Sequence, residues 1–183
     1  MTELNYPFPD LADNRVQLRR WTMADLACVA EAASDPRIPE GTTVPARYTE
    51  VEGRAWIERQ LSRQPEGRGL SLAIADRPSN EAMGLIVLML GDAPGTAELG
   101  YWLIPRARAG GRGTRAIRLL SSWALAETDL GRIGARVEPG NEASLQALRK
   151  CGFVTEGVLR SHLYLAGRHH DVVSLSLIPA DLE

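Results

Sequence analysis

Cysteine is scarce in this chain. Cys28 and Cys151 are the only two, too few for a disulfide framework, and no third ligand type clusters with them. They read as reduced, partly buried thiols, which predicts an intracellular, cytoplasmic setting. A basic excess is also missing. The 21 Lys and Arg face 23 Asp and Glu, a formal charge of -2, whereas a sequence-independent nucleic-acid binder carries surplus positive charge. Long apolar runs are absent too. The longest, "LIVLML" from Leu85 to Leu90, is far too short to span a bilayer, so no membrane partner is expected. The opening "MTELNYPFPDLADNRV" is polar and acidic with no apolar run behind it, so no signal peptide is read there. No internal repeat of about 20–50 residues stands out, which disfavours solenoids.

What is present is ordinary globular composition, 44% hydrophobic and 24% charged over 183 residues. That is enough for one well-buried core and short for two, so residues 1–183 read as a single domain. "VQLRRW" (Val16 to Trp21) alternates like a half-buried strand, and Thr22 caps a helix from about Met23 to Ser34. "DPRIPEGTTVPARY" reads as a loop, and Thr49 or Glu50 opens a second helix ending near Leu61. "LSLAIA" (Leu70 to Ala75) and "AMGLIVLML" (Ala82 to Leu90) form an antiparallel hairpin around "DRPSNE". A fourth strand spans Ala97 to Ile104, a helix reaches about Thr128, and Arg132 to Glu138 is a fifth strand. A short helix from Glu142 to about Lys150 and a final hairpin turning at Gly167 complete a mixed α/β (α+β) sheet.

Between the fourth strand and its helix lies "RARAGGRGTRAIRLL", with three glycines and five arginines. GxxxxGK[ST] is absent, which removes a P-loop nucleotidase. "GRGTRA" matches the loose dinucleotide fingerprint GxGxxA, but Pro105 to Gly110 intervene after the strand and antiparallel hairpins flank the unit. A third reading is Arg108-x-x-Gly111-x-Gly113 at a helix N-terminus. There, backbone N–H groups and the helix dipole converge on an anion while Arg108 or Arg112 supplies full charge. The bland alternative is a helix-initiating turn with solvated arginines.

Downstream, "VEPGNEASLQALRKCGF" (Val137 to Phe153) occupies the next strand-to-helix junction. Together with "AELGYWL" and the glycine loop, it resembles the GNAT superfamily of N-acetyltransferases, in the branch of the RimJ/RimL ribosomal-protein acetyltransferases. The matching residues are Val137, Pro139, Asn141, Ser144, Lys150, Gly152, Phe153, Glu156, Gly157, Arg160, Gly167, Arg168 and Asp171. The resemblance covers nearly the whole chain. It implies a mostly antiparallel sheet whose central fourth and fifth strands splay apart, flanked by helices, with acetyl-CoA in the opening.

By the same resemblance, Arg108, Ala109, Gly110, Gly111, Arg112, Gly113 and Thr114 hold the pyrophosphate of acetyl-CoA. Tyr101, Trp102, Leu103 and Ile104 offer a strand edge to its pantetheine, and Asn141 and Ser144 face the thiol end. Asn141 is otherwise a helix cap, and Ser144 an exposed helix hydroxyl. Direct attack of a neutral amine on a thioester needs a base, an oxyanion donor and a proton for the thiolate. Glu98 is the candidate base, against the alternative of a surface carboxylate. A backbone N–H near Trp102 or Leu103 is the candidate oxyanion donor. Many relatives carry a tyrosine in the short helix as the thiolate's acid; Leu148 stands there, which turns attention to Ser144. Leu175 likewise stands where relatives often have an aromatic residue.

His162, His169, His170 and Asp171 lack the spacing of a closed metal site, and no metal is expected. Asp171 reads as a structural hydrogen-bond acceptor, and His162 as a candidate substrate contact. Trp21, Trp56 and Trp102 either line the acceptor pocket with the loop at "IPEGTTVPARY" or belong to the core. The acceptor is an amine, either a protein N-terminus or a small molecule, and the protein a monomer or homodimer. Two rival readings are a non-catalytic acyl-CoA-binding module and a dinucleotide-binding protein.

Overall fold

The structure, a computed structural model, describes residues 4–165 and 167–182; the two ends of the chain and Ala166 in the last hairpin lie outside them. Eight strands form one sheet in the order β1-β2-β3-β4-β5-β6-β8-β7. The chain enters through β1 (Leu11–Ala12) and β2 (Val16–Arg19), then a 3-10 turn (Met23–Asp25) and α1 (Leu26–Ser34). The helix read from Met23 therefore begins as a tighter turn. Asp25 is the cause: its carboxylate reaches back to the Thr22 N–H at 2.8 Å and is held by Arg19.

The segment read as a loop contains a short helix, α2 (Arg37–Gly41), started by the Arg37 N–H donating to the Asp35 carboxylate at 3.1 Å. Then comes α3 (Glu50–Ser62), whose Thr49 cap accepts from the Glu52 N–H. β3 (Gly69–Asp76) and β4 (Ala82–Leu90) pair antiparallel, as the turn between them requires. β5 (Thr96–Leu103) leads to a 3-10 turn (Pro105–Ala107) and α4 (Arg112–Glu127); β6 (Arg132–Val137) and α5 (Glu142–Arg149) follow. The final hairpin joins β7 (Val154–Leu165) to β8 (Arg168–Leu177) with Gly167 at φ +80°. Every strand pair is antiparallel except β5 with β6. This is not the doubly wound parallel sheet that a GxGxxA dinucleotide site requires.

One contiguous apolar cluster links both faces of the sheet. Trp21, Trp56 and Trp102 meet within it, with ring centroids 5.0 to 6.4 Å apart. All three are buried, so they are core and not an exposed pocket lining. Leu148 and Leu175 are also fully packed. Cys28 and Cys151 are free, buried thiols; burial pushes the Cys28 thiol up to about 12, far from a reactive thiolate at neutral pH. No helix among the described residues is long and apolar enough to cross a membrane.

Candidate active site

The parallel pair β5 and β6 is joined only at Thr96, Ala97 and Glu98, opposite Arg132, Ile133 and Gly134. Beyond Glu98, β5 continues to Leu103 beside β4, and β6 continues to Val137 beside β8. From Leu99 onward the two strands share no ladder, which leaves one edge of β5 open. The direction of its amides follows from strand alternation. Ile104 donates to the Met83 carbonyl on β4, so Trp102 also faces β4, whereas Tyr101 and Leu103 turn their N–H groups into the opening.

At the mouth of that opening the chain makes an unusual turn. Ala109, Gly110 and Gly111 are consecutive left-handed residues at φ +64°, +68° and +74°. Glycine accepts this conformation freely, but Ala109 is strained by about 1–2 kcal/mol. α4 starts without a side-chain cap, and its first bond runs from the Arg115 N–H to the Gly111 carbonyl at 3.0 Å. Among the described residues, the amides of Ala109 through Thr114 have no acceptor. A side chain built at Gly111 would meet nothing within 4 Å. Uncapped amides, a helix N-terminus and open space fit a diphosphate.

Four of the five arginines of this stretch are engaged by the protein itself, and the fifth, Arg112, has a buried Nε with no hydrogen-bond partner among the described residues. Arg106 bridges Glu31 and Glu81. Arg108 joins Asp35 at 2.5 Å and donates to the Leu103 carbonyl. Arg112 lies 3.7 Å from Asp76, Arg115 pairs with Asp13, and Arg118 donates to the Lys150 carbonyl. This is not a free basic patch. Attraction for an anion here rests first on the amides and the dipole.

α5 follows β6, packs against α4 and carries Ser144 toward Tyr101 of β5. The Asn141 side chain caps this helix, its Oδ1 accepting the Ser144 N–H at 3.2 Å. The Ser144 hydroxyl lies near the Tyr101 phenol, close enough to influence its ionisation. Burial raises the phenol's pKa, and the Ser144 contact pulls it part of the way back. Tyr101 and Ser144 are thus brought together, and Asn141 orients the helix that carries the serine.

Glu98 lies at the last rung of the β5–β6 ladder. Its side chain is about one third exposed, and its Oε1 is 3.4 Å from Arg136 Nη2. His162 is exposed. Asp171 accepts the Ser161 N–H at 2.8 Å, the structural role read from the sequence. His169 contacts the Ser161 carbonyl, and His170 lies between Arg168 and Glu138. No group of three or more His, Cys, Asp or Glu among the described residues could hold a metal.

Sequence reasoning missed Asp35, Gly134 and Arg136. Gly134 did carry a signal, since a glycine inside a strand marks close approach by another group. Asp35 and Arg136 carried none, because their partners are distant in sequence.

The acetyltransferase (GNAT) domain model matches residues 15–154. The N-acetyltransferase YoaA of Bacillus subtilis (strain 168), itself uncharacterized, is 31% identical over 179 residues, covering 93% of this chain and 97% of that protein. An acetyltransferase (GNAT family) from Bacillus anthracis superimposes with a TM-score of 0.80 at 21% identity, covering 95% of this chain and 99% of that one. Mycobacterium smegmatis RimJ, in complex with CoA-disulfide, gives 0.80 at 24% identity, covering 91% and 83%. With the splayed strands and the uncapped helix beside them, these matches lead to one conclusion: the chain belongs to the GNAT family of acetyltransferases.

Proposed function

We propose that residues 1–183 act as one domain that transfers the acetyl group of acetyl-CoA to a primary amine, in the cytoplasm, through a ternary complex. The observation that carries this reading is the run of unbonded amides from Ala109 to Thr114 beside the open edge of β5. Acetyl-CoA supplies an acetyl group activated as a thioester. The amides of Arg108 to Thr114 bind its diphosphate, and the Tyr101 to Ile104 edge takes its pantetheine as an added strand. The Leu103 N–H, turned into the opening, donates to the oxyanion that develops on the carbonyl. Glu98 receives the ammonium proton of the acceptor, directly or through water, and the freed amine attacks the carbonyl carbon. As the carbon–sulfur bond breaks, Ser144, beside Tyr101, passes its proton to the thiolate and regains one from the attacking nitrogen, which sheds it on becoming an amide.

The acceptor is a protein N-terminus or a small-molecule amine. A structural neighbour described as RimL, a ribosomal L7/L12 alpha-N-protein acetyltransferase, supports the first. A non-catalytic acyl-CoA-binding module would use the same loop without needing Glu98 or Ser144. The test is twofold. Acetyl-CoA at a hundred times its dissociation constant should stabilise the fold by about 2.7 kcal/mol, whereas NAD(P) should not. A screen of peptide N-termini, amino acids, polyamines and aminoglycosides should then give acetylated product with at least one class. Stabilisation without any product would favour the binding module.

A further inference from the structure

Gly134 is the register partner of Glu98 at the last rung before β5 and β6 separate. A Cβ at residue 134 would lie 2.4 Å from Glu98 Oε1, 2.9 Å from its Cδ and 3.3 Å from Oε2. The carboxylate therefore occupies, Oε1 foremost, the space beside Gly134 that a Cβ of any other residue would fill. The backbone of Gly134 is not in the left-handed region, so no dihedral demands glycine there. In mid-strand, glycine forgoes side-chain packing and costs more conformational entropy than alanine. The missing side chain is what this position contributes.

Arg136, two residues along and on the same face, holds Oε1 at 3.4 Å. Oε2 has no hydrogen-bond partner among the described residues. One oxygen is anchored and the other is left for an incoming group. The other charges nearby are Arg132 on β6, which feels Glu98 through space, and Glu156 on β7, which takes up Arg132 with bonds of 2.8 and 2.6 Å. Met89, opposite Glu98 on β4, is uncharged.

We propose that Gly134 and Arg136 are positioning residues that lay the Glu98 carboxylate across β6 at the fork of the sheet, one oxygen fixed and the other facing the acceptor. This rests on the reading of Glu98 as the proton acceptor. Any side chain at 134 drives the carboxylate out of its notch and off Arg136.

The test uses the full chain, acetyl-CoA and the best peptide amine from the screen. Gly134→Ala should melt at or above the wild-type temperature. It should lower kcat roughly tenfold or more below neutral pH, the loss closing at high pH where free amine is abundant, with KM for acetyl-CoA unchanged. Added to Glu98→Gln, it should cost nothing further, and Glu98→Asp, whose shorter side chain clears a Cβ at 134, should restore part of the rate. If Gly134→Ala does not fold, Arg136→Gln replaces it, with a smaller loss that also vanishes on the Glu98→Gln background. Wild-type rates in Gly134→Ala and Arg136→Gln, beside an impaired Glu98→Gln, overturn the positioning role and leave the proton acceptor intact. A wild-type pH profile in Glu98→Gln overturns both. A pH-independent loss that adds to that of Glu98→Gln is strand distortion, and it also overturns the proposal.

Discussion

Arg108 and Asp35 are 2.5 Å apart, and their pairing fastens the glycine loop to the end of α1. Asp35 is almost wholly buried, and Arg37 contacts it from α2. Burial alone would raise its carboxyl, but hydrogen bonds from Arg37 and Arg108 win and hold it at about 2. The same Arg108 donates to the Leu103 carbonyl at the end of β5. One guanidinium thus joins the open strand, the turn and the α1–α2 corner.

The stability consequence has a definite sign. A carboxyl held below its ordinary value of 3.8 stabilises the fold above that pH, and its contribution is lost as pH falls toward 2. Melting temperature measured from pH 5 to pH 2 should fall in this window, and Asp35→Asn should lose less across it. Equal slopes for both proteins would mean that other carboxylates govern acid unfolding.

Gly111→Glu should abolish acetyl-CoA binding and leave the chain folded. Its side chain projects into open space, so the cost to the apo fold is the left-handed backbone, about 1–2 kcal/mol. With ligand, a carboxylate would face a diphosphate. Calorimetry should show no saturable heat; unchanged affinity would remove the phosphate-cradle reading.

Ser144→Ala should lower turnover by roughly 10²-fold while leaving acetyl-CoA affinity nearly untouched. Tyr101→Phe, which removes the phenol near the serine, should give a smaller loss of the same kind. The double variant should be no worse than Ser144→Ala, because both losses act through one hydroxyl. Additive losses in single-turnover rates would separate the two roles.

Glu98→Gln keeps the side-chain shape but cannot take a proton. A primary amine with pKa near 10 is almost wholly protonated at neutral pH, so this variant should be slowest at low pH and approach wild type at high pH. Superimposable pH–rate profiles would return Glu98 to a surface carboxylate.

Asp25→Ala should destabilise the fold by about 3 kcal/mol in urea titration. Arg19 donates to both Asp25 oxygens at 2.9 and 2.8 Å, with 11% and 5% of the two side chains exposed. Removing the acid strands a buried guanidinium. A loss below 1 kcal/mol, the range of exposed pairs, would mean that its remaining acceptors, the Asn80 Oδ1 and carbonyl and the Arg20 carbonyl, satisfy Arg19.

Local chemistry made most of the fold legible. Alternation marked β2, the turn at "DRPSNE" set the β3–β4 hairpin, and Thr49 and Asn141 announced α3 and α5 through their caps. The glycines of the loop announced a turn only glycine-like residues tolerate, which Ala109 to Gly111 then display. Local chemistry also overreached. Met23 begins a 3-10 turn because Arg19 and Thr22 hold Asp25, and α2 forms inside a Pro- and Gly-rich loop because buried Asp35 starts it.

The sequence by itself determined which backbone can turn, where helices begin and which faces are apolar, since these depend on neighbours within a few residues. Only the tertiary structure decided what the charges and hydroxyls face. Five arginines in one short stretch read as a source of charge for an anion, yet four are committed to partners brought close by the sheet or the helices, and Arg112 alone among them stands off its carboxylate at 3.7 Å with its buried Nε unpaired among the described residues. Ser144 acquires Tyr101 across the splay, and Glu98 acquires a place to lie because Gly134, 36 residues later, has no side chain. Such pairings depend on strand register and on where two strands part, and register is set by the packing of the whole sheet.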